Sequence, residues 1–91
     1  MQVIDGHVVV EEPWDCLVVV TAGLHADPES AARIYRNYTP DQLPAALGPL
    51  VARAFLSGLE KVVHTGEAIG YQGFLTPAIA AGYLELLTQP E

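Results

Sequence analysis

Cysteine, basic residues and long apolar runs are all scarce in this 91-residue chain. The single cysteine, Cys16, excludes a disulfide framework within the chain and is typical of a reducing, cytoplasmic setting. Only four Lys and Arg residues oppose eleven Asp and Glu residues, for a net charge of −7. This balance argues against direct binding to nucleic acid or to anionic membrane surfaces. No apolar run approaches the roughly 18–20 residues that span a bilayer, so we expect no membrane segment, and we expect no signal peptide.

Apolar residues are abundant for so short a chain. They make up 51% of it, whereas charged residues make up 16%. We expect one domain over residues 1–91. A domain of this size buries only about 60–65% of the surface that its unfolded chain exposes. We therefore expect some apolar surface to contact another protein chain or a second copy, in a homo-oligomer.

The first quarter of the chain has the composition of β-strands. Residues 8–10 and 17–21 are largely β-branched and apolar, which suits a half-buried sheet. Residues 12–15 between them, Glu-Pro-Trp-Asp, have the composition of a turn. Asp5-Gly6 predicts a tight hairpin, or else a bulge within one longer strand. We predict two or three short antiparallel strands within residues 2–22.

Proline marks the predicted helix starts. Asp27-Pro28, Thr39-Pro40 and Thr76-Pro77 each join a capping side chain to a proline suited to the first helical position. Gly48-Pro49 adds a fourth start. The predicted helices cover residues 28–38, 40–47, 49–64 and 77–88, although 40–64 could also be one kinked helix. The predicted fold class is α+β, with a small two- or three-stranded antiparallel N-terminal sheet packed against three to four helices.

The predicted helix over 49–64 has an unusually wide apolar face, because apolar residues cover well over half of its circumference. One neighbouring element cannot cover such a face. We therefore expect this helix to lie between the sheet and a second helix, either its own or that of a partner chain.

The residues able to do chemistry are dispersed. His7, Cys16 and His25 are nine residues apart, which matches no known metal-ligand spacing. The glycines at 66, 70 and 73 have the wrong spacing for a dinucleotide-binding loop, and Glu67 would repel a phosphate. We predict no catalytic residue, no metal site and no cofactor.

Two groups of residues are candidates for contact with a partner. The only tryptophan stands in an acidic stretch, and an exposed Trp with a charged rim is typical of a binding hot spot. The back of the last helix is formed by small residues, which allow a second helix to approach closely. The candidates are Glu11, Glu12, Trp14 and Asp15 in the first group and Ala78, Ala81 and Gly82 in the second.

No motif identifies an activity, and no family resemblance is evident. We expect a non-enzymatic, small acidic protein–protein interaction module, such as an accessory, assembly or inhibitor protein, that binds a partner or self-associates. A variant is an acidic mimic of nucleic acid. One alternative is a small-ligand or enzymatic site near a strand–helix junction at His25 and Asp27, with Cys16 or His64. Another is a structural component of a large assembly.

Overall fold

The computed structural model describes residues 1–36, 43 and 45–88. In this part of the chain two strands and four α-helices follow one another, with a short 3₁₀ turn before the last helix. The elements are β1 (Gln2–Ile4), β2 (His7–Val9), α1 (Pro13–Ala26), α2 (Pro28–Tyr35), α3 (Pro49–Thr65), the turn Tyr71–Gly73 and α4 (Pro77–Thr88). The predicted α+β class is confirmed.

The Asp5-Gly6 hairpin is also confirmed. Both residues have positive φ, 52° and 78°, as a two-residue turn of this type requires. β1 and β2 are antiparallel, with Val3 opposite Val8 in the register.

The second predicted strand is wrong: residues 17–21 belong to α1, and residues 12–15 contain its N-terminal cap and first turn. Val18, Val19 and Ala22 are fully buried on this helix. A short apolar run has the same composition in a buried helix and in a buried strand. Packing against other helices here outweighs the β propensity of valine.

The predicted helix starts agree with the structure wherever it describes them. The Asp27 side chain accepts a hydrogen bond from the Ser30 N–H at 3.3 Å, and Thr76 Oγ1 accepts one from the Ile79 N–H at 3.2 Å. Helix α4 has the predicted bounds, and α3 ends one residue later than predicted, before Gly66 in the left-handed conformation. Helix α2 ends at Tyr35, before the residue 38 that we predicted, and residues 37 and 38 lie outside the described residues.

Half of the predicted helix over 40–47, residues 40–42 and 44, lies outside the described residues, as does the Thr39-Pro40 cap. Its described part near Ala46 is not helical. Ala46 forms an isolated antiparallel bridge with Val9, and the Leu47 N–H donates to the Val8 carbonyl at 2.9 Å. Helix α3 begins anew at Pro49, after Gly48 in an extended conformation.

Helix α3 is the centre of the core. It packs most extensively against α1 and next against α4, and α2 packs chiefly against α1. Phe55, Leu59 and Val62 on α3 are fully buried. We expected the sheet on one side of α3, but α1 occupies that side, because residues 17–21 are helical and not a strand.

Within the described ranges, no helix is both long and apolar enough to cross a membrane.

Candidate interaction surface

The first turn of α1 separates two neighbouring side chains. Pro13 is the first helical residue, and the N–H groups of Asp15 and Cys16 donate to the Glu12 carbonyl at 3.0 and 3.4 Å. Because successive residues on a helix differ by about 100°, Trp14 and Asp15 point in different directions. Trp14 is 46% exposed, whereas Asp15 is 5% exposed. Only the first of these two predicted contact residues is available to a partner's surface.

The buried carboxylate of Asp15 joins three elements. It accepts a hydrogen bond from the Met1 amino group at 3.0 Å and another from the Tyr83 hydroxyl at 2.9 Å. The Met1 amino group also donates to Glu11 Oε2 at 3.2 Å. These bonds connect the start of β1 and the middle of α4 to the first turn of α1. Asp15 therefore supports the fold beneath Trp14.

The pKa values of the groups around Asp15 reflect this arrangement. Burial raises the pKa of Tyr83. The hydrogen bond from Tyr83 to Asp15 and the negative charges of Asp15 and Glu12 raise this pKa further, whereas Trp14 has a weaker, opposite effect. Burial opposes the charge of the Met1 amino group. Hydrogen bonds and charge attraction from Asp15 and Glu11 outweigh this effect, so the pKa of that amino group is raised above 8.0. The surroundings of the Met1 amino group therefore favour its protonated, charged form.

The ring of Trp14 is held in place by a second aromatic side chain. It meets Phe74 edge to face, with 5.0 Å between the ring centroids. Phe74 belongs to a short loop that Ile69 and Leu75 close with two mutual backbone hydrogen bonds, each of 3.0 Å. Gly70 in this loop has φ of 87°, and a Cβ at that position would overlap the Phe74 ring. The loop is therefore built to bring Phe74 against α1.

Tyr71 lies in the same loop and is 81% exposed, the highest value among the large apolar side chains of the described residues. We call Trp14, Tyr71 and Phe74 the aromatic surface. The sequence indicated Trp14 as a contact residue but did not place Tyr71 or Phe74 beside it, because no local pattern indicates which distant loop meets a given helix turn.

The other predicted contact residues are also exposed. Glu11 and Glu12 precede Trp14, and both reach solvent. Ala78, Ala81 and Gly82 lie on the solvent side of α4, whereas Tyr83 on the same helix faces Asp15. The structure thus divides the seven candidates into an acidic and aromatic group near α1, a buried support at Asp15, and a separate small-residue face on α4.

We expected the junction at His25 and Asp27 to connect a strand to a helix. This expectation is wrong, because the junction connects helix α1 to helix α2. Asp27 caps α2, and its hydrogen bonds to Ser30 lower the pKa of its carboxyl. Cys16 lies nine residues before His25 on α1, a rise of about 13 Å along the helix, so the two cannot share a site. His64 is exposed near the end of α3. Among the described residues, no three His, Cys, Asp or Glu side chains are arranged to hold a metal ion.

A groove of about 270 Å³ lies beside Asp27, between α2 and α3. Most of its lining is small or apolar. These residues are Ser30, Ala31 and Ile34 on α2 and Leu50, Ala54 and Ser57 on α3. Asp27 and Arg53 bring opposite charges to it. We call it the α2–α3 groove.

No protein-family model, no curated protein and no solved structure matches this chain. The function of the chain is therefore inferred from its own geometry.

Proposed function

We propose that this chain is a non-enzymatic protein-binding module that contacts a basic partner protein through the aromatic surface. The observation that carries the proposal is the exposure of two large aromatic side chains, Trp14 at 46% and Tyr71 at 81%. Exposed Trp and Tyr side chains with a polar rim are the usual centres of protein–protein binding energy.

The contact that holds the Trp14 ring supports the proposal. Trp14 is already fixed by its contact with Phe74, and the loop of Phe74 is closed by backbone hydrogen bonds. A side chain that is fixed before binding loses little conformational entropy when a partner covers it. The surface therefore suits specific contact better than a mobile exposed ring would.

Charge favours a basic partner. Glu11 and Glu12 stand three and two residues before Trp14, and residues 1–32 carry six acidic side chains and no Lys or Arg. Arginine is the best match for such a surface, because its guanidinium group can pair with carboxylates and stack on Trp or Tyr rings. A second copy of this chain would bring more negative charge to the same place, which disfavours self-association there.

Variants at the surface test the proposal by co-purification from the cell of origin. Tyr71→Ala removes a side chain that is almost fully exposed, so we expect a folded protein that retains at most a tenth of the wild-type amount of its partner. Trp14→Ala should have the same effect, with some loss of stability from the Phe74 contact. Leu24→Ala, another exposed side chain of α1, is the matched control and should retain the partner. Equal recovery of the partner with all three variants would overturn the proposal.

A further inference from the structure

The α2–α3 groove contains an apolar side chain that the fold does not cover. Leu50 lines the groove and is 65% exposed, a value exceeded only by Tyr71 among the large apolar side chains of the described residues. Leu50, Ala54 and Ser57 are spaced three or four residues apart, so they lie along one face of α3. Leu50 and Ala54 belong to the wide apolar face of α3, and Ser57 lies at its polar edge.

Both charged residues of the groove lack an ion-pair partner within the part of the chain that the structure describes. The ion pairs found there involve only the Met1 amino group, and neither Asp27 nor Arg53 takes part in one. An occupant that matches the groove would supply an apolar side chain, a carboxylate for Arg53 and a cation beside Asp27, which keeps its capping bond with Ser30. The face around the groove offers these three groups itself, in Leu50, Asp27 and Arg53.

We propose that a second copy of this chain occupies the α2–α3 groove, forming a two-fold symmetric dimer. In such a contact each copy gives and receives the same interactions. Leu50 of each copy enters the groove of the other, and Arg53 of each copy pairs with Asp27 of the other. The proposal concerns a different surface from the aromatic one and does not depend on it.

The distribution of charge favours this face over others for self-association. A chain of net charge −7 repels its own copy unless basic residues lie in the contact. One of its four basic residues, Arg53, lines the groove, where it can pair with Asp27 of a second copy. The acidic N-terminal turn of α1 has no such compensation, and the small-residue face of α4 has no charge complementarity.

The contact should be weak. A standard interface takes about 800 Å² from each partner, roughly a seventh of the 5516 Å² surface of this molecule. Helix α2 has only eight residues and α3 is about 25 Å long, so their shared face is smaller than that. We expect dissociation at micromolar concentrations, which a measurement at a single low concentration would miss.

Sedimentation equilibrium from about 1 to 500 μM tests the proposal. The wild-type mass should rise from 9.7 kDa toward twice that value. Leu50→Asp should raise the dissociation constant at least about 100-fold, because symmetry introduces the change twice. Val63→Asp is the matched control: Val63 is also exposed on α3 but does not line the groove, and its change should stay within about threefold.

Arg53→Glu provides a second variant, with Arg36→Glu as its control, in case Leu50→Asp disturbs folding. Only the Arg53 variant should weaken the dimer. A wild-type chain that stays at 9.7 kDa throughout overturns the proposal, and so does equal weakening by Leu50→Asp and Val63→Asp. Gly82→Trp on α4 should leave the dimer intact, and loss of the dimer in that variant alone would assign the contact to α4. Tyr71→Ala should also leave the dimer unchanged, so this inference and the proposed function can fail separately.

Discussion

Gly58→Ala should strongly destabilise this protein, although alanine is the better helix former. Gly58 is buried in the middle of α3, where it faces α1. A Cβ built on it would overlap the carbonyl group of Ala22 and lie 2.8 Å from the Ala22 Cα. Carbon atoms in contact prefer about 3.5–4.0 Å, and backbone cannot rotate away as a side chain can. The two helices would have to separate by about 1 Å or more.

The cost follows from what such a separation disturbs. Phe55 and Leu59 on α3 and Val18 and Val19 on α1 are fully buried around this contact. Overpacking of a core costs about 1–3 kcal/mol and sometimes more, and an overlap with backbone belongs at the upper end, about 4 kcal/mol. Alanine recovers about 1 kcal/mol in helix propensity. The expected net loss is about 3 kcal/mol, a large part of the roughly 5–14 kcal/mol expected for a 91-residue domain.

Gly82→Ala is the matched control. Gly82 lies inside α4, is exposed, and has nothing within 4 Å of the position where a Cβ would stand. The same substitution should therefore stabilise by about 0.5–1 kcal/mol. Urea unfolding followed by circular dichroism gives both values. Equal stability of Gly58→Ala and Gly82→Ala would show that α1 and α3 are not in close contact at this position.

Two further predictions concern the buried carboxylate of Asp15. Tyr83→Phe removes one hydrogen bond of Asp15 and should lower the free energy of unfolding by about 1–2 kcal/mol, measured by thermal or urea unfolding. Tyr71→Phe, at an exposed site, should change that free energy by no more than about 0.5 kcal/mol. Equal effects of the two variants would contradict the hydrogen bond between Tyr83 and Asp15. The Met1 amino group has a raised pKa in the folded protein, so its contribution to stability is fully present below the ordinary value of 8.0 and is lost as the pH rises through the folded value. The unfolding free energy of the 91-residue polypeptide should therefore fall above about pH 8. Asp15→Asn should make this fall less steep. An equally steep fall in the variant would show that Asp15 does not hold the amino group.

Local signals predicted the parts of the fold that depend on few neighbouring residues. The hairpin at Asp5-Gly6 requires only two residues that accept positive φ. The starts of α2 and α4 require a capping oxygen three residues before an N–H group, which Asp27 and Thr76 supply. These features could be derived from sequence because their energetics are contained within one turn.

Helix α1 could not be derived in the same way. Its N-cap is Glu12, which makes no side-chain capping bond, so only Pro13 at the first helical position marks its start. Its centre is rich in valine, which suits a strand when considered alone. The helical conformation is favoured only because Val18 and Val19 are buried against other helices. That burial depends on residues far along the chain.

The candidate site also combines features that neighbouring residues determine with features that distant contacts determine. The exposure of Trp14 could be anticipated from its acidic, proline-containing neighbourhood. The inward direction of Asp15 could not, because it depends on a hydrogen bond with Tyr83, 68 residues away. The contact of Trp14 with Phe74 is equally non-local. Sequence thus indicated one member of the aromatic surface, and the tertiary structure supplied the other two.

Fluorescence of the single tryptophan tests the proposed binding surface most directly. Trp14 is the only Trp in the chain, so its emission reports on that surface alone. Titration with a tryptophan-free basic segment of the co-purified partner should shift the emission to shorter wavelength and reach saturation, because a half-exposed indole becomes covered. Tyr71→Ala should weaken the same titration at least tenfold. Binding that is detected by calorimetry but leaves the Trp14 emission unchanged would contradict the account.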